Sequence, residues 1–191
     1  MNSKLWMASL LLAGSLPELS TTALAQEQVT QAECLLNSPA ATDWMERNGW
    51  RYNTQQQADA AYARLTKDMS PWPDWYHPEV SVLQPGTRFQ MAMSSKQPNT
   101  SPGGFATFDY LESVEQVRKY LAVLPGWKAD INRMVTYEVK APMLASIGPI
   151  GPQVDKDSCT LYTGEFTQVQ FLVPPADRMQ YLTYVSERTI K

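Results

Sequence analysis

The residues with the clearest chemical potential lie late in the chain, in Gly148-Pro149-Ile150-Gly151-Pro152-Gln153 and in Tyr162-Thr163-Gly164-Glu165-Phe166-Thr167-Gln168. The second run sets a carboxylate, Glu165, and an amide, Gln168, on a turn at the head of an apolar strand, where a sugar or nucleotide can be gripped. Two earlier segments carry further functional groups. Gly86-Thr87-Arg88-Phe89 puts an arginine early in a predicted strand. Gly103-Gly104-Phe105-Ala106-Thr107-Phe108 supplies a hydroxyl and two rings, followed by a helix and Trp127.

An aromatic loop, Pro71-Trp72-Pro73-Asp74-Trp75-Tyr76-His77-Pro78, is too proline-rich for helix or central strand. Its rings can stack on a flat ligand, but such residues more often plug the edge of a core or brace a proline turn. His77 is the one histidine and reads as a packed or surface residue. With two cysteines and one histidine, a Cys/His metal site is not expected.

The positioning elements follow from periodicity and punctuation. Asn53 or Thr54 caps a helix in which Ala58, Ala61, Tyr62, Leu65 and Met69 recur at helical spacing until Ser70-Pro71. Shorter helices are expected over 26–36 and 41–48, the latter ended by Gly49. Strands are expected at 80–83, 87–93 and 105–108. A helix then opens at Ser113, with Gln116 at capping-box spacing, and runs through Leu124 to Pro125-Gly126. Strands at 134–140, 143–147, 167–173 and 179–187 complete the chain. In the first of these Val135, Tyr137 and Val139 alternate inward, and in the last Met179, Tyr181 and Val185 do so. Helices followed by short strands give an α+β fold with a mostly antiparallel core.

Residues 1–25 read as an export signal: Lys4, the apolar stretch Leu5 to Leu16, and the small-x-small site Ala23-Leu24-Ala25. A helical segment with the aromatic loop (26–79) and a β-rich core (80–191) then form a single domain. The expected product is secreted or periplasmic, with no stable membrane insertion. Net charge is −3 and stays so once Lys4 and Glu18 are removed, so no basic stripe invites nucleic acid. Fourteen prolines and nine glycines with 18% charged residues describe a loop-rich globular chain rather than a disordered one. In an oxidising compartment Cys34 and Cys159 are expected to form a structural disulfide, worth about 4–5 kcal/mol by loop-closure entropy.

The order of these segments resembles the ADP-ribosyltransferase fold, whose sites use arginine on a first strand, Ser or Thr with aromatics on a second, and Glu or Gln before a late strand. It also resembles the TNT-like NAD glycohydrolase branch found among polymorphic toxins. Tyr137-Glu138-Val139, Pro142, Gly148-Pro149-Ile150-Gly151-Pro152 and Gln168 stand in that branch's order, and the likeness covers roughly 83–168. It implies NAD as substrate, with Arg88 forking onto the pyrophosphate. Gln168 and Glu165 would face the oxocarbenium-like ribose or hold its hydroxyls. Thr107 would orient Glu165 or a ribose hydroxyl, and Phe105, Phe108 or Trp127 would flank the nicotinamide. An inhibitory or target protein is the implied partner. The chain departs from the family pattern in having a late turn that is not a glycine run, no histidine near Met134–Tyr137, and Ala-Thr in place of Ser-Thr-Ser. The resemblance implies an NAD glycohydrolase, with protein ADP-ribosyltransferase as one alternative. The other is a non-catalytic exported protein that binds through the aromatic loop.

Overall fold

The computed structural model describes Cys34 and residues 37–191. The expected export signal and, Cys34 apart, the helix expected over 26–36 lie outside the described residues. Helix α1 spans Pro39–Asn48 and so begins ahead of the expected Ala41, because Ser38 caps it: its Oγ accepts from Ala41 N at 3.1 Å, and proline occupies the first turn. Helix α2 spans Gln55–Asp68, capped by Thr54 as the sequence implies, and closes on Met69 in the left-handed region at φ +47°.

The β elements are antiparallel throughout. A four-stranded sheet has the order β1 (Glu79–Leu83), β5 (Met143–Pro149), β8 (Thr167–Phe171), β3 (Phe105–Ala106). A three-stranded sheet has the order β2 (Arg88–Ser94), β4 (Ile131–Val139), β9 (Leu182–Thr189). The architecture is the α+β arrangement expected from the sequence. Phe89, Met91, Val135, Tyr137 and Val139 from one sheet meet Leu83, Ala106, Met143, Ala145, Val169 and Phe171 from the other in a common core. The inward alternation read along 135–139 is therefore the face that builds this core. A single backbone bridge joins the two sheets, with Gln90 and Thr107 exchanging N–H···O bonds of 2.8 and 2.9 Å.

Three local expectations are corrected. Helix α3 (Val114–Tyr120) has the expected Ser113 cap but stops well short of Leu124. Ala122 turns left-handed at φ +48°, and the freed carbonyls of Val123 and Leu124 accept from the Arg118 guanidinium instead. Residues 178–181 form a short helix, α4 (Arg178–Tyr181), rather than the start of a strand. The preceding Pro174-Pro175 opens a 3₁₀ turn that runs into it. On β9, Val185 is exposed and Leu182 alone on that strand is buried, as an edge strand allows. A hairpin not foreseen, β6 (Gln153–Asp155) with β7 (Thr160–Tyr162), packs Val154 and Leu161 beneath α1 and α2. Its turn carries Cys159, which is disulfide-bonded to Cys34 with Cα atoms 5.2 Å apart.

Candidate functional site

A pocket of about 470 Å³ opens beside the Gln90–Thr107 bridge, at the seam between the sheets. Its walls come from β2 (Gln90 to Ala92), Gly103 to Ala106, the 121–128 loop, Ile150-Gly151 with Gln153, Gln168, and the Met69–Pro71 turn after α2. The segments singled out in the sequence at 103–106, 150–153 and 168 thus converge on one cavity. Its volume falls within the range of small-molecule sites.

Gln168 is the best-defined polar group in it. The side chain is 7% exposed, sits opposite Gly148 in the ladder, and is anchored by Nε2 donating to Pro71 O at 3.2 Å. Gln153 repeats the arrangement one carbonyl away: it is 2% exposed and Nε2 donates to Ser70 O at 2.6 Å. Phe105 and Trp127 line the pocket with about half of each side chain still exposed.

Other expected residues stand elsewhere. Arg88 is on the lip of β2, 64% exposed, and donates to Glu138 Oε2 at 2.7 Å, so its fork does not reach the pocket lining. Glu165 is 56% exposed and faces Arg47 at 3.6 Å. Its own backbone is left-handed at φ +84°, held where N–H donates to Ile150 O. Thr107 is fully buried, and its hydroxyl donates to Asp109 Oδ2 at 3.1 Å. The same carboxylate oxygen accepts from Thr167 N at 2.6 Å, so Thr107 helps pin β3 to the start of β8 and does not touch Glu165. Phe108 is exposed outside the lining.

The glycines of Gly148–Pro152 also have a different task from gripping a ligand. A Cβ on Gly148 would overlap the Tyr76 ring, and one on Gly151 would lie 2.6 Å from the Trp72 carbonyl carbon. These glycines let the aromatic loop lie directly on β5, where Tyr76 also donates to Ile147 O at 2.8 Å. Trp75 stacks on the guanidinium of Arg51, which is also over Trp50. Tyr76 and the Trp72–Pro73 backbone brace the sheet, while Trp75 remains 47% exposed.

Two functional candidates were missed in the sequence. Lys128 lines the pocket and, among the described residues, is the one charged side chain to do so. Burial pulls its ammonium below the usual lysine range against the opposing pull of Asp130, while Nζ donates to Ala92 O at 3.0 Å and Gln97 Oε1 at 3.1 Å. Arg118 lies behind the wall and donates to the carbonyls of Val123, Leu124, Lys128 and Ala129, fixing the loop that presents Trp127 and Lys128. Burial lowers its pKa too, and no carboxylate contacts it among the described residues. Neither residue has a periodic signal, since one sits in a loop and the other reads as the solvated face of a helix. No group of three or more potential metal ligands occurs among the described residues.

No family profile matches the chain, and no curated protein does. Solved structures do match. Tne2, determined in complex with Tni2, superposes with a TM-score of 0.51 at 24% identity, across 60% of this chain and 92% of that chain. The chain shares its fold with Tne2. Rhs1-CT, determined with its cognate immunity protein RhsI1, gives a TM-score of 0.44 at 19% identity over 59% of this chain and 81% of that one. Tse6, determined in complex with Tsi6, gives 0.41 at 12% over 76% and 94%.

Beside the Tne2-like fold, the site described above has a definite chemical character. The lining combines two half-exposed rings, the anchored amides of Gln153 and Gln168 and one partly buried ammonium, and among the described residues it contains no carboxylate. Such a wall suits a ligand with flat rings, hydrogen-bond donors and an anionic portion.

Proposed function

We propose that this chain is a toxin-like enzyme that hydrolyses NAD at the nicotinamide–ribose bond. The observation that carries the reading is the convergence of Phe105, Trp127, Gln168 and Lys128 on one pocket. The sequence resemblance to TNT-like NAD glycohydrolases and the fold shared with Tne2 support it. Nicotinamide stacks against Phe105 or Trp127. The Gln168 amide oxygen faces the anomeric carbon, where positive charge develops as the bond lengthens. Water adds to that carbon, nicotinamide leaves with the bonding pair, and the water's proton goes to solvent, giving ADP-ribose, nicotinamide and H⁺. Lys128 takes the place expected for Arg88 and faces the pyrophosphate as a point charge.

Hydrolysis is preferred over protein ADP-ribosylation because Glu165, the carboxylate that transfer would use, lies outside the pocket and against Arg47. The alternative of a binding protein working through its aromatic loop is disfavoured by the packing of the Tyr76 ring on Gly148 and of the Trp72–Pro73 backbone on Gly151. We place the protein in an oxidising compartment, in keeping with the Cys34–Cys159 bond. No helix among the described residues is long and apolar enough to cross a membrane. An inhibitory protein partner fits the same reading, since Tne2 was determined bound to Tni2.

The test is fluorimetric turnover of an etheno-NAD analogue by the oxidised protein. Gln168→Ala should lose on the order of 10²–10³ in turnover, the scale of one oriented group at a charged transition state. Arg88→Ala should retain activity. Absence of turnover by the parent, together with absence of a thermal shift by NAD, would sink the reading and return the binding-protein account.

A further inference from the structure

We infer that Trp50, Arg51 and Trp75 form a docking surface for a partner protein, which presents a carboxylate to Arg51 and an apolar side chain to a small cavity beside Trp75. None of the three lines the large pocket, so this surface stands independently of the NAD-cleaving reading. Tyr76 and the Trp72–Pro73 backbone are spent on the sheet, and Trp75 is the ring of the aromatic loop left open.

The arginines of the chain single out the position. Arg47, Arg64, Arg88 and Arg133 face carboxylates, and Arg118, Arg178 and Arg188 donate to backbone carbonyls. Arg51 does neither among the described residues. A short 3₁₀ turn, Gly49–Arg51, carries it past the end of α1, where it is exposed. Its guanidinium carbon lies over two indoles, 4.3 Å from the centroid of Trp50 and 4.5 Å from that of Trp75. Contact through the flat face leaves the N–H groups, which lie in the guanidinium plane, unspent. An in-plane fork without a partner suits the two oxygens of a carboxylate.

The two rings are open to solvent and yet held. Trp50 is 72% exposed, and its indole N–H donates to Arg47 O at 2.8 Å. Trp75 meets Tyr76 edge to face at 6.1 Å, and Tyr76 is itself fixed to β5 by its bond to Ile147 O. Side chains fixed before an encounter lose little freedom in it. Exposed tryptophan and arginine in one place are the residues on which the energetic centres of protein interfaces are built.

Trp75 also walls a second cavity, of about 110 Å³, between α1, α2 and the aromatic loop, together with Trp44, Leu65 and Trp72. That is below the roughly 300 Å³ at which small-molecule sites begin, and suits one inserted side chain. Of the charged groups in its lining, Asp74 is engaged by Arg64 at 3.6 Å and by the Tyr52 hydroxyl at 2.6 Å. Asp68 stays exposed at the rim, which directs the partner's acid to the Arg51 side of Trp75. Nucleic acid also stacks on indoles, but it asks for a run of cations. A chain of net charge −3, with Asp68 and Asp74 in the cavity that Trp75 walls, does not offer one.

The experiment pans a displayed library of random peptides on the oxidised protein and measures the most enriched peptide by fluorescence polarisation. We expect the enriched peptides to share an Asp or Glu close to an aliphatic residue. Arg51→Gln should weaken the chosen peptide on the order of tenfold, the scale of a side chain at the centre of an interface, and Trp50→Ala should do the same. Changing the peptide's acid to its amide should cost the parent protein a similar factor and cost Arg51→Gln nothing further, the non-additivity of a direct pair. Arg88→Gln, an exposed arginine on another element, should bind as the parent does. Arg51 and Trp50 are exposed, so their replacement leaves the core intact, and thermal melting checks this. No enrichment over a protein-free support, enriched peptides without an acid, or equal binding by Arg51→Gln would each overturn the inference. Tighter binding of oligothymidylate than of any peptide, lost in Arg51→Gln, would overturn it too, by making the surface a platform for nucleic acid.

Discussion

Tyr76 and Phe105 flank the same four-stranded sheet, yet their surroundings are opposite. Tyr76 lies flat on Gly148, its hydroxyl held by Ile147 O, while Trp72 beside it abuts Gly151 and Trp75 is stacked on Arg51. Phe105 and Trp127 leave about half of their surface open over a cavity whose polar groups are held by backbone carbonyls. The Tyr76 ring is partly buried against its glycine, whereas Trp75 at 47% exposed is as open as Phe105 and Trp127. Aromatic content alone does not tell a brace from a binding wall. The glycine under the Tyr76 ring marks that ring as a brace, and Gly151 does the same for the Trp72–Pro73 backbone.

The sharpest break in this contrast is expected at the brace. Gly151→Ala puts a methyl group 2.6 Å from backbone that cannot rotate away, and should cost about 3 kcal/mol of stability in a denaturant titration. NAD turnover per folded molecule should hold. If it collapses while stability is unchanged, the glycine serves a ligand after all.

A middle-sized effect is expected at Arg118, which holds the pocket loop from behind. Arg118→Met keeps the aliphatic stem but removes charged donors from four carbonyls, and should lower stability by about 2 kcal/mol. It should also speed amide exchange across 121–129 ahead of the rest of the chain, as seen by hydrogen exchange with mass spectrometry. Uniform exchange throughout would remove Arg118 from this positioning role.

The smallest effect on stability is expected on the open side. Trp127→Ala should change stability by less than about 1 kcal/mol, because half of the side chain is already in water. It should raise KM for NAD about tenfold with less change in kcat. A large loss of stability with normal KM would make Trp127 a second brace and erase the contrast with Tyr76.

Much of the fold was legible because it rests on local chemistry. Thr54 and Ser113 cap where hydroxyls precede helical spacing, and Val135, Tyr137 and Val139 alternate because one face of β4 meets the opposite sheet. What failed was non-local. The end of α3 is decided by Arg118 reaching carbonyls up to eleven residues ahead, which no helical period encodes. The β6–β7 hairpin has strands of three residues, too short to show alternation, and is held by packing under the helices.

The site was legible in the same partial way. Gln168, Phe105 and Trp127 reach the pocket, since their segments flank strands that the topology brings together. Arg88 and Glu165 fit the pattern by type and order, but ion partners on other elements hold them at the surface. Whether a charge finds a pocket or a neighbour depends on a residue 50 positions away in one case and on a separate helix in the other. Gln153 stood inside the glycine-proline run that first drew notice. Its unpartnered oxygen becomes visible only in three dimensions.

The left-handed residue that closes α2 has a consequence for the whole molecule. Met69 bends the chain just before Ser70 and Pro71, whose carbonyls accept from Gln153 and Gln168, which arrive from the β half of the sequence. The turn after α2 is thus a jig for the pocket wall. Sheets grafted onto another helical segment would keep both rings and both glutamines and still lose the alignment, because the ruler against which the amides are set would have stayed behind.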